Sequence, residues 1–318
     1  MSAPRIVVIG AGYMGRHHAL KAAELCETGE IEFAGVVDCR RSRARRLARA
    51  TRTHAFASAA AAFAESDAAI VAVPTAAHFE VVRGALEAGL DVLVEKPIAA
   101  GLDQAEALLD LARRRGRVLW VGSQEWHNPA MRAVRPKIER PIFIECQRVG
   151  PFSERGIDVD VVRDLMIHDL DILQKLLGAE PERIDATGVP VVTDKIDIAS
   201  ARIAFPGGCI ANLMASRVSR RPMRKLRCFQ RDGYFAVDFI AQSASIFRRV
   251  EARRGAAPRV DLEELAVERE DSLVAQLRAF VRAVVDGHVR TSTGDAALAA
   301  LRTALRVVEA MPRARDLA

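Results

Sequence analysis

Of the 47 basic residues only six are lysines (positions 21, 96, 137, 175, 195 and 225). Tyrosine and tryptophan occur twice each, and the five cysteines stand apart from one another. Each scarcity excludes something. Cys26, Cys39, Cys146, Cys209 and Cys228 contain no C-x-x-C pair, which argues against a disulfide framework or a zinc site and for reduced thiols in a cytoplasmic protein. Aromatics make up 5% of the chain and no zinc-finger, RRM or helix-turn-helix pattern is present, so nucleic-acid binding has little support. No uninterrupted apolar segment reaches bilayer-spanning length. A strand pattern begins within a few residues of Met1, leaving no room for a leader peptide. Repeats and low-complexity linkers are missing too, although residues 55–64 are alanine-rich. The expectation is a soluble, cytoplasmic protein.

What is present is ordinary in bulk. The 318 residues, 50% hydrophobic and 28% charged, suffice for two domains with substantial cores. The net charge of +6, carried almost wholly by arginine, fits either an anionic substrate such as a nucleotide or sugar phosphate, or a solvated arginine-rich surface.

The informative segment is RIVVIGAGYMG, residues 5–15. An apolar, β-branched run breaks into Gly10, Gly12 and Gly15 with G-x-G-x-x-G spacing. The first glycine permits the tight strand-to-helix turn, and the second lets backbone approach a pyrophosphate. The third lets the next helix pack on the strand with its N-terminal N–H groups aimed at the phosphates. A second strand, Glu32 to Val37, ends at Asp38, where a carboxylate binding an adenosine ribose diol is expected. Such a carboxylate favours NAD over NADP, since it repels a 2′-phosphate. Arg40, Arg41 and Arg43 work against that preference.

Up to residue 122 strand and helix patterns alternate. Strands are expected at 5–9, 32–37, 69–73, 91–94 and 117–121, and helices at 14–26, 40–50, 58–64, 77–88 and 103–115. This predicts a doubly wound, mostly parallel sheet. Its ligand turns would be Gly10–Gly15, Pro74-Thr75 and Glu95-Lys96-Pro97, all at carboxyl ends of strands. After residue 122 helices are expected near 129–138 and 160–177. Extended stretches follow at 196–205, 209–216, 225–230 and 234–240, with turns at Pro206-Gly207-Gly208 and Asp232-Gly233. They predict an antiparallel or mixed sheet, closed by helices at 271–286 and 293–311 and a frayed tail from Pro312. The expected domains are therefore 1–122 and 123–318.

Two further constellations carry chemistry. In RDLMIHDLDILQKLLG, residues 163–178, Asp164, His168, Asp171 and Lys175 fall on one stripe of a helix that is apolar elsewhere, so the stripe faces solvent or a polar cleft. Asp164 and His168, one turn apart, can pair so that the carboxylate prepares the imidazole as a general base. An incidental ion pair on a solvated stripe is the alternative. A metal site on Asp164, His168 and Asp171 is disfavoured, because no other ligand cluster accompanies it. Lys96 in VEKP follows an apolar strand and precedes a proline. There its ammonium could stabilise an alkoxide, or it could be a surface charge. His78 in PTAAH could reach the nicotinamide side or lie on the surface. His17, His18, His54, His127 and His288 read as structural or exposed.

GAGYMG with Asp38, EKP and DLMIHDLD occur in that order. In this combination the chain resembles the Gfo/Idh/MocA family of sugar and inositol oxidoreductases, over essentially its whole length. The resemblance implies an N-terminal Rossmann domain and a C-terminal α+β domain with a large open, mostly antiparallel sheet carrying oligomer contacts, hence a homo-dimer or homo-tetramer. It implies Lys96 as the catalytic lysine with Asp164 and His168 as its D-x-x-x-H partners. Gly10, Gly12, Tyr13, Met14, Gly15 and Asp38 would hold the dinucleotide, and Pro74, Thr75, His78, Glu95, Lys96 and Pro97 would line it. Where many relatives carry Gly-Gly before the Asp-bearing helix, this chain reads GIDVDVVRD. GPFSERGIDVDVVRDLMIHDLDI and VPVVTDKIDIA look like the subgroup that oxidises UDP-N-acetylglucosamine at the sugar 3-hydroxyl. There the 3-keto product passes to a PLP-dependent aminotransferase on the way to amide-linked lipid A. Arg148, Arg155, Arg217, Arg220 and Arg224 are candidates for the diphosphate by position. Dehydrogenases of inositol or of the UDP-N-acetylglucosamine uronate, and a non-catalytic NAD-binding sensor, are the rival readings.

Overall fold

The computed structural model describes residues 3–153, 159–231, 233–250, 259–287 and 293–312. The chain divides into two compact units, residues 1–124 with 273–298, and residues 125–272 with 299–318. The expected single cut after residue 122 is corrected by the segment 273–298, which joins the first unit.

In the first unit strands and helices alternate: β1 (Arg5–Ile9), α1 (Tyr13–Glu27), β2 (Glu32–Val37), α2 (Arg41–Ala50), β3 (His54–Ala55), α3 (Ala59–Phe63), β4 (Ala68–Val71), α4 (His78–Glu87), β5 (Asp91–Val94), α5 (Leu102–Arg115) and β6 (Leu119–Val121). The six strands pair in parallel in the order β3-β2-β1-β4-β5-β6. Strand order reverses beside β1, which puts the glycine loop at the switch point where open α/β sheets take ligands. Every residue of β4, β5 and β6 is buried, as expected of strands covered on both faces. Ile6, Val8, Ile70 and Leu93 share one core with Ala19, Ala22 and Leu25 of α1.

The second unit holds α6 (Pro129–Val134), β7 (Phe143–Val149), α7 (Ile167–Leu177), β8 (Arg183–Val189), β9 (Ile198–Ala204), β10 (Ile210–Ser216), β11 (Met223–Gln230), β12 (Gly233–Asp238), β13 (Ser243–Val250) and β14 (Arg259–Glu264). Its eight strands run in the order β14-β13-β12-β11-β7-β10-β9-β8, and only β7 and β10 pair in parallel. The helix expected at 129–138 stops at Val134 and continues as a 3₁₀ turn over Arg135–Lys137, because Pro136 has no N–H to extend the ladder. Two helices follow, α8 (Ser272–Asp286) and α9 (Gly294–Glu309). Val274, Leu277, Phe280 and Val281 of α8 belong to the core around β1 and α1, which is why this helix goes with the first unit. Among the described residues no helix is long and apolar enough to cross a membrane.

Candidate active site

In the first unit the glycine loop is built as its spacing requires. Gly10 has φ +103° and a Cβ there would lie 2.4 Å from the Ala72 carbonyl oxygen, while a Cβ on Gly15 would lie 1.8 Å from that of Gly10. These two glycines are steric necessities of the turn. Gly12 is different: a Cβ on it would meet nothing within 4 Å, so the protein's own packing does not require a glycine there. No side chain caps α1 and no acidic residue occupies its first turn, which leaves the helix end open to an anion. The Gly10 N–H donates to Val37 at 2.7 Å. The Asp38 carboxylate accepts the Ala11 N–H at 2.7 Å and the Arg40 N–H at 2.8 Å, which fixes it beside the loop. Glycine cradle, open helix end and anchored carboxylate fit a dinucleotide. Tyr13, more than half exposed, meets His17 edge to face at 4.6 Å, and Met14 continues the first turn of α1.

The Glu95-Lys96-Pro97 turn leaves β5 with a cis Lys96–Pro97 peptide. Glu95 accepts from His18 Nε2 at 2.5 Å. Burial pushes the Glu95 carboxyl up, but the hydrogen bond and charge of His18, with His78 and the Lys96 N–H, outweigh it and hold it below the usual carboxylate range. His18, read from the sequence only as structural or exposed, is fully buried. Pro74 and Thr75 enter a 3₁₀ turn, Thr75–Ala77, after β4. His78 is buried, which sets aside its surface alternative. Its ring is 1% exposed and both nitrogens are engaged by carbonyl oxygens, Nδ1 with Pro97 at 2.7 Å and Nε2 with Val73 at 2.9 Å. No ring N–H is left for a cofactor. Burial pushes this imidazole below its ordinary value, against the two carbonyls and Glu95.

In the second unit the Asp-bearing helix opens with a π turn, Val162–Met166, and becomes α7 at Ile167. Such turns insert one residue into the helical ladder and recur at functional sites. Asp164 lies inside it and His168 is the second residue of α7; both are half-buried. Asp160 starts the turn, taking the Arg163 N–H at 2.9 Å and its Nε at 2.6 Å. The far half of the expected polar stripe is largely shielded from solvent. Asp171 and Lys175 form a buried pair at 2.7 Å, with the Lys175 ammonium 5.6 Å above the Trp126 ring.

A residue absent from the sequence reading, Asp169, dominates the local electrostatics. It receives Arg148 Nε at 3.1 Å and the second guanidinium nitrogen at 2.8 Å, while Arg148 donates to Glu125 at 2.6 Å. Burial works against the Arg148 charge, but the two carboxylates hold its pKa far above the ordinary value. Arg148 is therefore removed from the diphosphate candidates. So is Arg217, buried and donating to Val159 and Ile196 at 2.6 and 3.2 Å beside Asp197 at 3.3 Å. Arg220 and Arg224 are exposed. Arg155 and His288 lie outside the described residues.

Fold and glycine cradle together define a dinucleotide-dependent oxidoreductase. Residues 4–123 match the oxidoreductase family with an NAD-binding Rossmann fold, GFO/IDH/MocA, and residues 148–236 match the GFO/IDH/MocA C-terminal domain. The chain belongs to this family. It is 38% identical over 304 residues to the UDP-N-acetylglucosamine 3-dehydrogenase of Acidithiobacillus ferrooxidans, spanning 95% of this chain and 96% of that one. A solved structure of that enzyme, GnnA, superposes with TM-score 0.90 over 98% of both chains. The chain is also 32% identical over 232 residues to the myo-inositol dehydrogenase Hyg17 of Streptomyces leeuwenhoekii, 67% of this chain and 69% of that one. Levoglucosan dehydrogenase, at 17% identity and TM-score 0.84, shares the fold.

Proposed function

We propose that the protein oxidises the 3-hydroxyl of UDP-N-acetylglucosamine with NAD. The observation that carries this reading is the full-length likeness to a UDP-N-acetylglucosamine 3-dehydrogenase. In it, His168 oriented by Asp164 takes the hydroxyl proton, and the Lys96 ammonium stabilises the oxyanion that develops. A nicotinamide held there would supply the redox chemistry as the hydride acceptor. Backbone of Gly10, Gly12, Tyr13, Met14 and Gly15 holds its pyrophosphate, Asp38 its adenosine ribose, and Pro74, Thr75, Glu95, Lys96 and Pro97 its far end. Asp38 supports NAD over NADP: a carboxylate already tied to two backbone N–H groups cannot swing away from a 2′-phosphate. Among the described candidates Arg220 and Arg224 are exposed, Arg224 with Glu125 at 3.5 Å, and they would meet the sugar nucleotide's diphosphate.

The 3-keto product would pass to a PLP-dependent aminotransferase supplying lipid A synthesis, in the cytoplasm. A homo-dimer or homo-tetramer is proposed through the outer face of the eight-stranded sheet. There Phe229 and Tyr234 stack at 4.8 Å, and Tyr234 and Phe247 at 4.2 Å. The likeness to a myo-inositol dehydrogenase favours a second reading, a polyol dehydrogenase with the same machinery. The test is turnover of UDP-N-acetylglucosamine, its uronate and inositol by the protein and by Lys96→Ala. Loss of about 10²–10⁴ in kcat is expected for the variant, and full turnover by it would overturn the assignment.

A further inference from the structure

Residues 39–64 contain seven arginines, Arg40, Arg41, Arg43, Arg45, Arg46, Arg49 and Arg52, and no aspartate or glutamate. Their charge alone exceeds the net +6 of the whole chain. All seven are exposed, and most lie on α2, whose inner face buries Ala44, Leu47 and Ala48 in the core shared with β1 and α1. The pattern works against the helix itself. Arg40, Arg41 and Arg43 crowd its N-terminal end, where neither an acidic residue nor a side-chain cap offsets the dipole. Arg41 with Arg45, and Arg45 with Arg49, set like charges one turn apart. Elsewhere in this unit Arg5, Arg83, Arg113 and Arg278 each meet a carboxylate. Among the described residues none of the seven guanidinium groups has an ion pair or a hydrogen bond.

We propose that the exposed face of α2 is a peripheral docking surface for an anionic lipid bilayer, its arginines meeting phosphodiester headgroups. Local rules broken with no compensating contact inside the protein point to a partner outside it. That partner is anionic and extended. From Arg41 to Arg49 the charges run about 12 Å along the helix axis and occupy its outward side, so a single phosphate cannot meet them all. The planar guanidinium fork matches phosphate oxygens. The surroundings choose among extended anions. Among the described residues 39–64 no large apolar side chain is exposed, so there is no Phe, Tyr or Trp ring on which bases could stack, as binding of single-stranded nucleic acid requires. There is no wedge for the acyl layer either. A basic helix face of this kind answers to a plane of headgroups, to which each arginine contributes by charge. Such binding is electrostatic, reversible and weakened by salt. Arg40, Arg41 and Arg43 adjoin Asp38, whereas Arg45, Arg46 and Arg49 lie farther along the helix and can be changed apart from the dinucleotide site.

The test is co-sedimentation of the full-length protein with vesicles at low ionic strength. Phosphatidylcholine vesicles containing about one third phosphatidylglycerol are expected to carry the protein down, and phosphatidylcholine alone to leave it in solution. Added salt should release it, and inorganic phosphate at equal ionic strength should displace no more than chloride does. A variant combining Arg45→Gln, Arg46→Gln and Arg49→Gln should bind about 100-fold more weakly, with its dinucleotide Kd unchanged. A control that removes the same charge from three other exposed and unpaired arginines, Arg114→Gln, Arg115→Gln and Arg140→Gln, should stay within about threefold of the parent. Because Arg45 and Arg49 repel each other, the α2 variant should melt no lower than the parent, which separates lost binding from lost folding. Four results overturn the proposal: a parent that ignores the anionic vesicles, equal losses in the two variants, release by inorganic phosphate beyond that by chloride, or an α2 variant melting several degrees lower. A short RNA duplex that binds the parent more tightly than the vesicles would overturn it as well, and assign the face to nucleic acid.

Discussion

Replacing Arg148 with methionine tests the electrostatic account of the second unit most severely. The side chains of Arg148, Asp169 and Glu125 are 4%, 2% and 10% exposed. Arg148 is bidentate to one carboxylate and donates to the other at 2.6 Å. Methionine fills much the same volume, so the loss is of charge and hydrogen bonds. Both carboxylates then lose their shared cation, although Glu125 keeps Arg224 at 3.5 Å. Breaking a buried pair by removing one partner costs about 3–5 kcal/mol, because the other charge stays uncompensated. At about 2–4 °C per kcal/mol for a unit of this size, the Tm should fall by roughly 10 °C. Arg148→Lys keeps the charge and loses the planar fork, so it should lose about half as much. Removing the whole group, with Asp169→Leu and Glu125→Leu added, should recover most of the loss, since an apolar replacement of a buried ionic group is often neutral. Thermal melts followed by circular dichroism and scanning calorimetry are the assay. A methionine variant melting within about 2 °C of the parent would refute the reasoning, as would a triple variant less stable than the single one.

Three more predictions follow from the same structure. Gly12→Ala should leave stability within about 0.5 kcal/mol of the parent and weaken the dinucleotide Kd by tenfold or more, whereas Gly15→Ala, with its Cβ 1.8 Å from the Gly10 oxygen, should impair folding itself; equal effects in a melt and a fluorescence titration would contradict the assigned roles. His127 is pushed down to about 3 by burial, then by Lys175, Arg135 and Arg132. Its folded pKa lies below its unfolded one, so the penalty is absent above about pH 6.5 and complete below about pH 3. The unfolding free energy from urea melts should therefore drop through that window by about 5 kcal/mol at most, and His127→Gln should flatten the profile; an unchanged profile would contradict it. Asp38→Asn removes the charge that repels a 2′-phosphate and should narrow the NAD-over-NADP ratio of Kd values about tenfold, with an unaltered ratio counting against the role given to Asp38.

The first unit was legible because its demands are local. Gly10 and Gly15 answer to a turn and a packing contact within one short segment, which also holds Gly12, and Asp38 follows from strand length. The two-residue β3 was too short to leave a pattern. In the second unit β7 escaped notice: its outward positions Glu145 and Gln147 interrupt the apolar run, and its parallel partner β10 lies more than sixty residues on. Strands β8, β13 and β14 also went unread. Asp169 was illegible because its partner Arg148 sits 21 residues away on another element, and no spacing rule links them. The periodicity of α7 gives the polar stripe but not the burial of its far half, since what lies over Lys175 is Trp126 from a distant turn. His18 and His78 show the same limit: a histidine's partners are set by tertiary neighbours. For the π turn that holds Asp164 the sequence offers no signal we can identify.

The central claim is tested most directly by absorbance at the NADH band when the purified protein meets NAD and UDP-N-acetylglucosamine, with a glutamate-dependent aminotransferase present to pull the equilibrium. The account predicts NADH formation with this substrate, none with inositol or the uronate analogue, and a weaker response with NADP. Turnover of inositol in place of the sugar nucleotide would contradict the substrate assignment, and silence with every sugar despite demonstrated NAD binding would contradict catalysis itself.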